Sequence, residues 1–227
     1  MKVAKKNIRE QKIIEATERV FTKVGFVNAK MEDIAQEAGI TKVTLYSYFQ
    51  SKENLQLAVT YKALQLLIDK YYNHLNEYRD KSGLESTLAI FRLFIEFCEN
   101  NYLYSESLLQ YFELIRSTAH GANKDKLTEA LKESVYFRKI QDIQNLPFKL
   151  TVQEIGRGIS DGSIKSKIDP MLITLTAWTA SIGYMKVVSA SGNNIQPLFN
   201  VDLESLKELQ LRTASELLKQ NTIIAVQ

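Results

Sequence analysis

Residues that break or cross-link a chain are scarce in this sequence. Its 227 residues include one cysteine, three prolines and nine glycines. The single cysteine, Cys98, excludes a disulfide within the chain and favours a reducing compartment. The shortage of proline and glycine excludes a turn-rich β protein. Together with Leu, Ile, Ala, Glu and Lys at helical spacing, it predicts an all-α fold.

Long apolar runs and a strong excess of one charge are also missing. No apolar run approaches the roughly 18 residues of a membrane-spanning helix, so we expect a soluble, cytoplasmic protein without a membrane partner. The formal net charge is only +3. The charge is uneven, however, because residues 1–52 contain ten Lys or Arg against six Asp or Glu. This balance suits an N-terminal segment that faces a polyanion.

Two short helices joined by a tight turn are predicted near the N-terminus. A first helix over about 5–24 is followed by a second that ends before Gly39, which can adopt the positive φ of a tight turn. Thr41 then caps a third helix. This arrangement is a helix-turn-helix, whose second helix can enter the major groove of DNA.

The rest of the chain predicts long helices separated by polar breaks. Their approximate ranges are 52–79, 84–101, 103–119, 124–144, 147–160, 170–190 and 203–220. Capping residues and proline positions support several of these starts, as at Asp169 and Pro170. The sequence therefore predicts an N-terminal three-helix domain over 1–51 and a larger all-helical domain over 52–227.

The outer face of the third helix supplies the candidate readers of base edges. Leu45 and Phe49 lie four residues apart and are predicted to face the core. At 100° per residue, the opposite face of the helix then centres on Val43 and Ser47. The side chains on that face are Val43, Thr44, Tyr46 and Ser47. Short side chains allow close approach, and the methyl groups of Val43 and Thr44 can meet a thymine methyl group.

Phosphate groups are the expected partners of the side chains around this face. Lys42 is the only long, positively charged side chain on this helix, and Tyr48 lies towards the edge of the outer face. Lys52 begins the next helix, where backbone N–H groups already favour an anion. Thr41, at the start of the recognition helix, completes this set of DNA-binding candidates.

These segments resemble the TetR family of transcriptional regulators over about fifty residues. The similar stretches are Ile13-Ile14-Glu15-Ala16, Phe21, Gly25-Phe26, Met31-Glu32-Asp33-Ile34-Ala35, Ala38-Gly39-Ile40-Thr41 with 42–49, and Ser51-Lys52-Glu53-Asn54-Leu55. Where the family usually has Thr followed by Ser or Thr, this chain has Ala29 and Lys30, and Lys30 can restore the phosphate contact. The segment 159–164 with Asp169 and Pro170 is similar to the stretch that precedes the family's first dimerisation helix.

The resemblance implies that the larger domain binds ligand and forms a homodimer. It implies a mainly apolar pocket among the helices, for which the aromatic and aliphatic candidates are Phe91, Phe94, Tyr111, Ile115 and Trp178. It also implies double-stranded operator DNA and a small-molecule effector as partners. We therefore expect a repressor that a small apolar or amphipathic ligand releases from a palindromic operator.

Two C-terminal helices are predicted to form the homodimer. In 170–190, small residues recur at i, i+3, i+4 and i+7, and in 203–220 an apolar stripe runs along one side. The candidate interface residues are Thr176, Thr179, Ala180, Gly183, Leu206, Leu209, Thr213 and Leu217. Two such helix pairs related by a dyad would form a four-helix interface.

Two other classes of protein compete with the regulator. An all-α enzyme is one, yet His74 and His120 are isolated, and the sequence contains no Glu-x-x-His pair, Asp-rich magnesium motif or phosphate loop. The sequence thus predicts no catalytic residue, metal or cofactor. The other is a helical ligand-binding or adaptor protein that keeps the helix-turn-helix only as a scaffold. Salt-dependent DNA binding distinguishes the regulator from both.

Overall fold

The computed structural model describes residues 2–119, 129–132, 134–190 and 201–221, with side chains described for 6–115, 131–132, 134–188 and 201–221. The predicted all-α fold is confirmed. The helices are α1 (Lys2–Asn28), α2 (Met31–Glu37), α3 (Lys42–Tyr48), α4 (Lys52–Glu77), α5 (Gly83–Asn100), α6 (Tyr102–Ala119), α7 (Glu129–Lys132), α8 (Val135–Ile143), α9 (Leu146–Ser160), α10 (Pro170–Ala190) and α11 (Leu203–Lys219).

These helices form two compact units. Unit 1 comprises Met1–Gln65 and Leu103–Gln144, and unit 2 comprises Leu66–Tyr102 and Asn145–Gln227. The first half of α4 therefore packs with the N-terminal helices, as do most of α6 and all of α8. The domain boundary between residues 51 and 52 stays a prediction.

The turn between α2 and α3 follows from two residues of the sequence. Gly39 has a φ of 65°, a left-handed conformation that glycine adopts without a steric penalty. Thr41 is the N-cap of α3, and its hydroxyl oxygen accepts a hydrogen bond from the Thr44 N–H at 3.2 Å. The cap satisfies one of the free N–H groups at the helix start and so fixes where α3 begins.

The core of unit 1 holds α3 in place. Leu45 is completely buried and Phe49 is 3% exposed, which confirms that the two side chains predicted to face inward do so. They pack in one cluster with buried residues of α1, α2 and α4, and Leu103, Tyr104 and Tyr136 pack against this cluster from α6 and α8. The helix-turn-helix is thus joined to helices that lie much later in the sequence.

Unit 2 is built around the crossing of α5 and α9. Gly83 and Gly158 lie so close that a Cβ atom on Gly83 would stand 2.1 Å from the Gly158 backbone nitrogen. Ser82 and Glu85 form a capping box at the start of α5, and the Asp161 carboxylate accepts the Gly83 N–H at 2.7 Å. α5 also packs against α10 and α11.

One predicted helix differs from the structure. The sequence predicts a continuous helix over 124–144, whereas the described part contains two, α7 and α8. Ser134 lies between them with φ −57° and ψ 130°, and the extended ψ ends the helical path before Val135 restarts it. Residues 124–128 lie outside the described residues. Helix α1 reaches Asn28, four residues past its predicted end at Val24, although Gly25 at that point has a non-helical φ of 74°. The remaining predicted helices agree with the structure to within about two residues of each end.

Candidate nucleic-acid interface and apolar groove

The outer face of α3 presents three of the four predicted base readers to solvent. Val43 is 82% exposed and Tyr46 is 42% exposed, and Ser47 is exposed beside them. Thr44 is half-buried, and its hydroxyl lies 2.9 Å from the Thr41 hydroxyl at the cap. The face that the helical period predicts is therefore mainly Val43, Tyr46 and Ser47, with Thr44 at its edge.

Hydrogen bonds within α3 use some of the hydrogen-bond donors on this face. The Ser47 hydroxyl donates to the Thr44 carbonyl oxygen at 2.6 Å, so its proton is used inside the helix. Its lone pairs remain available as acceptors. Val43 and Tyr46 are the large hydrophobic side chains that α3 exposes.

The cation of α3 is paired within the protein. The Lys42 ammonium donates a hydrogen bond to the Glu32 carboxylate of α2 and lies 5.9 Å from the centre of the Tyr46 ring. This bond raises the pKa of Lys42, and it lowers the pKa of Glu32. Lys42 must therefore leave Glu32, or share it, in order to contact a phosphate.

Lys52, which is predicted to contact phosphate, also makes contacts inside unit 1. Its ammonium donates to the Val27 carbonyl oxygen at 3.0 Å and lies 4.7 Å from the centre of the Phe26 ring. These contacts join the start of α4 to the end of α1. No local signal in the sequence predicts these contacts, since nothing nearby marks a lysine that pairs with a carbonyl 25 residues earlier.

The remaining predicted DNA contacts surround α3. Lys30 is exposed and stands at the N-cap position of α2 without a side-chain cap, while Thr41 is exposed at the start of α3. Tyr48 is half-buried and packs against the core of unit 1. Contact of any of these residues with DNA stays a prediction.

A groove in unit 2 brings the predicted dimer residues together. It has a volume of about 520 Å³ and is lined by α10, α11 and the α5 residues Phe91 and Ile95. Leu206 is 36% exposed and Leu209 is 59% exposed on its α11 side. The predicted dimer residues that line it are Thr176, Ala180, Gly183, Leu206, Leu209, Thr213 and Leu217. Thr179 is exposed on α10 but does not line the groove.

Helix α10 is more apolar than the sequence analysis expected. Within the described residues, Pro170–Val188 is the one stretch long and apolar enough to cross a membrane by length and composition, with a mean hydropathy of 1.3. Only 28% of it is buried inside the chain. A single helix of this kind is weak evidence for a membrane, and it leaves an apolar surface that the described residues do not cover.

The comparison with known families concerns the helix-turn-helix. Residues 13–59 match the family model of bacterial regulatory proteins of the tetR family. The match includes the Gly39 turn, the capped α3 and the first residues of α4. This segment is similar to the N-terminal helix-turn-helix of the tetR family. The resemblance found in the sequence over about fifty residues is thereby confirmed.

Two relatives are transcriptional regulators from bacteria. The uncharacterized HTH-type transcriptional regulator YerO of Bacillus subtilis is 34% identical over 67 residues, which are 30% of this chain and 23% of YerO. The HTH-type transcriptional activator FasR of Mycolicibacterium smegmatis is 35% identical over 129 residues, which are 56% of this chain and 57% of FasR. The chain thus spans less than two thirds of the length of each relative.

A solved structure shares the fold along nearly the whole chain. The transcriptional regulator FadR from Bacillus subtilis, solved in complex with stearoyl-CoA, has a TM-score of 0.63. The match covers 94% of this chain and 99% of FadR at 16% sequence identity. At that identity, the likeness shows the fold of the chain alone and leaves its ligand to other observations.

The predicted ligand residues divide between the two units. Phe91 lines the groove of unit 2, Phe94 is 9% exposed, and Trp178 packs edge-on against Phe148 with ring centres 5.7 Å apart. Tyr111 and Ile115 belong to unit 1. Their role in a pocket stays a prediction.

Tyr111 has the surroundings of a core residue. Its hydroxyl donates to Gln144 at 3.0 Å, and burial raises its pKa to about 12. A buried tyrosine whose hydroxyl already has a partner needs no ligand to satisfy it. Among the residues with described side chains, no three His, Cys, Asp or Glu lie together as metal ligands would.

Proposed function

We propose that this tetR-family regulator is a homodimeric cytoplasmic repressor that leaves a palindromic operator when a small apolar or amphipathic molecule binds. The observation that carries the proposal is the outer face of α3, where Val43 and Tyr46 stand exposed on a helix capped by Thr41. An aliphatic and an aromatic side chain at these positions suit the thymine methyl groups and base edges of a major groove.

The side chains of this face divide by the part of DNA that they would meet. Val43, Thr44, Tyr46 and Ser47 would lie near base edges. Lys30, Thr41, Lys42, Tyr48 and Lys52 would lie near phosphates. Phosphate contacts position the protein, whereas base-edge contacts give it a preferred sequence. Lys42 would exchange the Glu32 carboxylate for a phosphate oxygen, which keeps its ammonium paired throughout.

Selection of genomic fragments by the purified protein, followed by binding measurements on the selected site, tests the placement of α3. We expect Tyr46→Ala to weaken operator binding about tenfold, because a base-edge contact is worth about 1–3 kcal/mol. Tyr72→Ala is the control, since Tyr72 is 50% exposed on α4 of unit 2. Equal operator affinity for both variants would show that α3 is wrongly placed.

Two copies of the chain would bind the operator together. A dimer with a two-fold axis places its two recognition helices on equivalent half-sites about one helical turn, roughly 34–36 Å, apart. The operator is then a palindrome, and a footprint on the selected fragment should be symmetric. An asymmetric footprint that covers one half-site would contradict binding by a two-fold symmetric dimer.

The groove of unit 2 is the surface we assign to the second copy. Its α10 and α11 walls are apolar and exposed in one chain, and doubling them about a dyad gives a four-helix interface. Within unit 2, α10 packs against α5, α9 and α11. A helix held by three neighbours of a folded unit is better covered by a partner protein than by lipid.

Ligand release requires that the ligand prefer one conformation. A typical coupling of 1–3 kcal/mol weakens operator affinity about 5–150-fold. Residues 52–65 of α4 belong to unit 1 and the remainder to unit 2, so α4 is a continuous link by which a ligand bound among the helices of 84–190 could alter α3. Stearoyl-CoA, bound by FadR, is an amphipathic molecule of the class proposed here.

Calorimetry tests this mechanism. Ligand recovered from cell extract, with stearoyl-CoA as a defined amphipathic probe, is titrated into the protein with and without operator. We expect weaker ligand binding when operator is present, and equal affinity in both states would exclude release by ligand. Because the relative FasR is an activator, transcription from the selected promoter must be measured as well, and it should rise when ligand is added.

A further inference from the structure

Tyr136 of α8 lies against the last residue of the recognition region. Its ring stacks on Phe49 with ring centres 6.0 Å apart and an angle of 22° between the planes, and it lies 5.8 Å from the Tyr61 ring of α4. Phe49 is the C-cap of α3, and its N–H donates to the Leu45 carbonyl oxygen at 2.9 Å. The Tyr136 ring thus packs against the core of unit 1 at the end of α3.

The polar end of Tyr136 is tied to α1. Its hydroxyl donates to the Glu10 carboxylate at 2.6 Å. Burial raises the pKa of Tyr136, and the hydrogen bond to the Glu10 carboxylate raises it further. The hydroxyl therefore keeps its proton and remains a donor. The Lys139 ammonium lies 5.1 Å from the centre of the Tyr136 ring and 5.2 Å from that of Tyr61. One side chain of α8 therefore connects α1, α4 and the end of α3.

A pocket lies beside the contact between Tyr136 and Phe49. A cavity of about 420 Å³ is lined by Ser47, Tyr48 and Phe49 on the side of α3 and by Tyr136 and Lys139 on the side of α8. The last turn of α3 is therefore not fully surrounded by packed side chains. Where packing is incomplete, the few contacts that remain have more influence on local order.

We propose that Tyr136 is a positioning residue for the recognition helix, which it braces by stacking on Phe49 while its hydroxyl is held by Glu10. The proposal rests on operator binding by α3, and it adds a determinant that lies outside the 13–59 segment matched by the family model. It also gives α8 a direct contact with the end of α3, so that a shift of α8 would loosen α3.

The test uses the full-length protein with Tyr136→Phe, Tyr136→Ala and the control Tyr72→Ala. Amide hydrogen exchange of residues 42–49 is measured without DNA, and operator affinity is measured well below the unfolding temperature. We expect Tyr136→Ala to speed exchange over 42–49 and to weaken operator binding roughly three- to tenfold, the range expected for one lost aromatic pair. Tyr136→Phe keeps the stack, so it should restore most of both properties, and Tyr72→Ala should change neither.

The two readouts separate this proposal from the function on which it rests. Unchanged exchange over 42–49 in Tyr136→Ala overturns the brace, whatever happens to DNA binding. Faster exchange with unchanged operator affinity overturns the link between the brace and recognition. If the unaltered protein binds no DNA fragment while exchange responds as expected, the brace stands and operator binding is what fails.

Discussion

Lys52 is a residue with two partners in the protein, and this changes what its removal should do. The ammonium donates to the Val27 carbonyl oxygen and lies over Phe26. We expect Lys52→Ala to weaken binding to all DNA sequences alike and to reduce the salt dependence of log affinity by about one. It should also lower the free energy of unfolding by about 1 kcal/mol, since a cation–π contact and a hydrogen bond are lost.

Two measurements and one control separate these effects. Operator and random DNA are titrated at several salt concentrations, and urea unfolding gives the stability. Lys167→Ala serves as control, because Lys167 is an exposed lysine of unit 2. A Lys52→Ala protein with unchanged salt dependence would show that Lys52 serves the fold alone.

We expect His74 to make the stability of the protein sensitive to acid. It is 6% exposed, its Nε2 donates to the Ser86 carbonyl oxygen at 3.1 Å, and its ring stacks on Tyr78 at 4.2 Å. Burial lowers the pKa of His74 below its ordinary value of 6.5. A lowered pKa in the folded state stabilises the protein above the unfolded pKa, and this contribution is lost as the pH falls through the folded pKa.

We therefore expect the stability of the protein to decline as the pH falls below 6.5. In His74→Gln, stability should be lower at pH 7.5, and its decline between pH 7.5 and 5.5 should be shallower. Urea unfolding at pH 7.5, 6.5 and 5.5 on both proteins measures the difference. Parallel pH profiles for the two proteins would assign the acid sensitivity to other groups.

At the scale of helices, the crossing of α5 and α9 depends on a residue without a side chain. A Cβ atom on Gly83 would stand 2.3 Å from the Gly158 Cα atom and 2.1 Å from its nitrogen, and these backbone atoms cannot move aside cheaply. Gly83→Ala should therefore destabilise the protein by about 1–3 kcal/mol, the usual cost of overpacking.

Gly156 provides the matched control on the same pair of helices. It lies in α9, and a Cβ atom there meets nothing within 4 Å. Gly156→Ala should stabilise the protein by up to about 1 kcal/mol, because alanine favours a helix over glycine. Urea unfolding decides both, and a Gly83→Ala protein as stable as the unaltered chain would mean that the crossing is not tight.

At the scale of the whole molecule, the proposed dimer depends on the apolar groove of unit 2. Leu209 is 59% exposed on its wall, so a charge there costs a single chain little. In a two-fold interface, Leu209→Glu would bury two like charges, which is strongly unfavourable. We expect this variant to be a folded monomer by light scattering at micromolar concentration, with much weaker operator binding.

Leu66→Glu is the control for this substitution, since Leu66 is 37% exposed on α4 and does not line the groove. Circular dichroism should show equal helix content in both variants. If Leu209→Glu remains dimeric, the groove is not the dimer interface. If the unaltered protein is already a monomer, the dimeric form of the proposed function is wrong.

The sequence by itself determined the local features of this protein. Gly39, the Thr41 cap and the inward spacing of Leu45 and Phe49 specify α3 and its outer face, and the structure agrees on each. Such features depend on φ preferences, on capping four residues or fewer away and on the 3.6-residue period, so they can be read from neighbouring residues. The same locality made the resemblance to the tetR family visible over about fifty residues.

Only the tertiary structure decided which distant side chains meet. Tyr136 lies 87 positions after Phe49 and 126 after Glu10, yet it contacts both. Lys52 is likewise held by the Val27 carbonyl oxygen. Periodicity reports that a side chain faces inward, but it carries no information on which inward faces are brought together. That choice depends on how the buried surfaces of the whole chain pack at once, and it placed α8 against the end of the recognition helix.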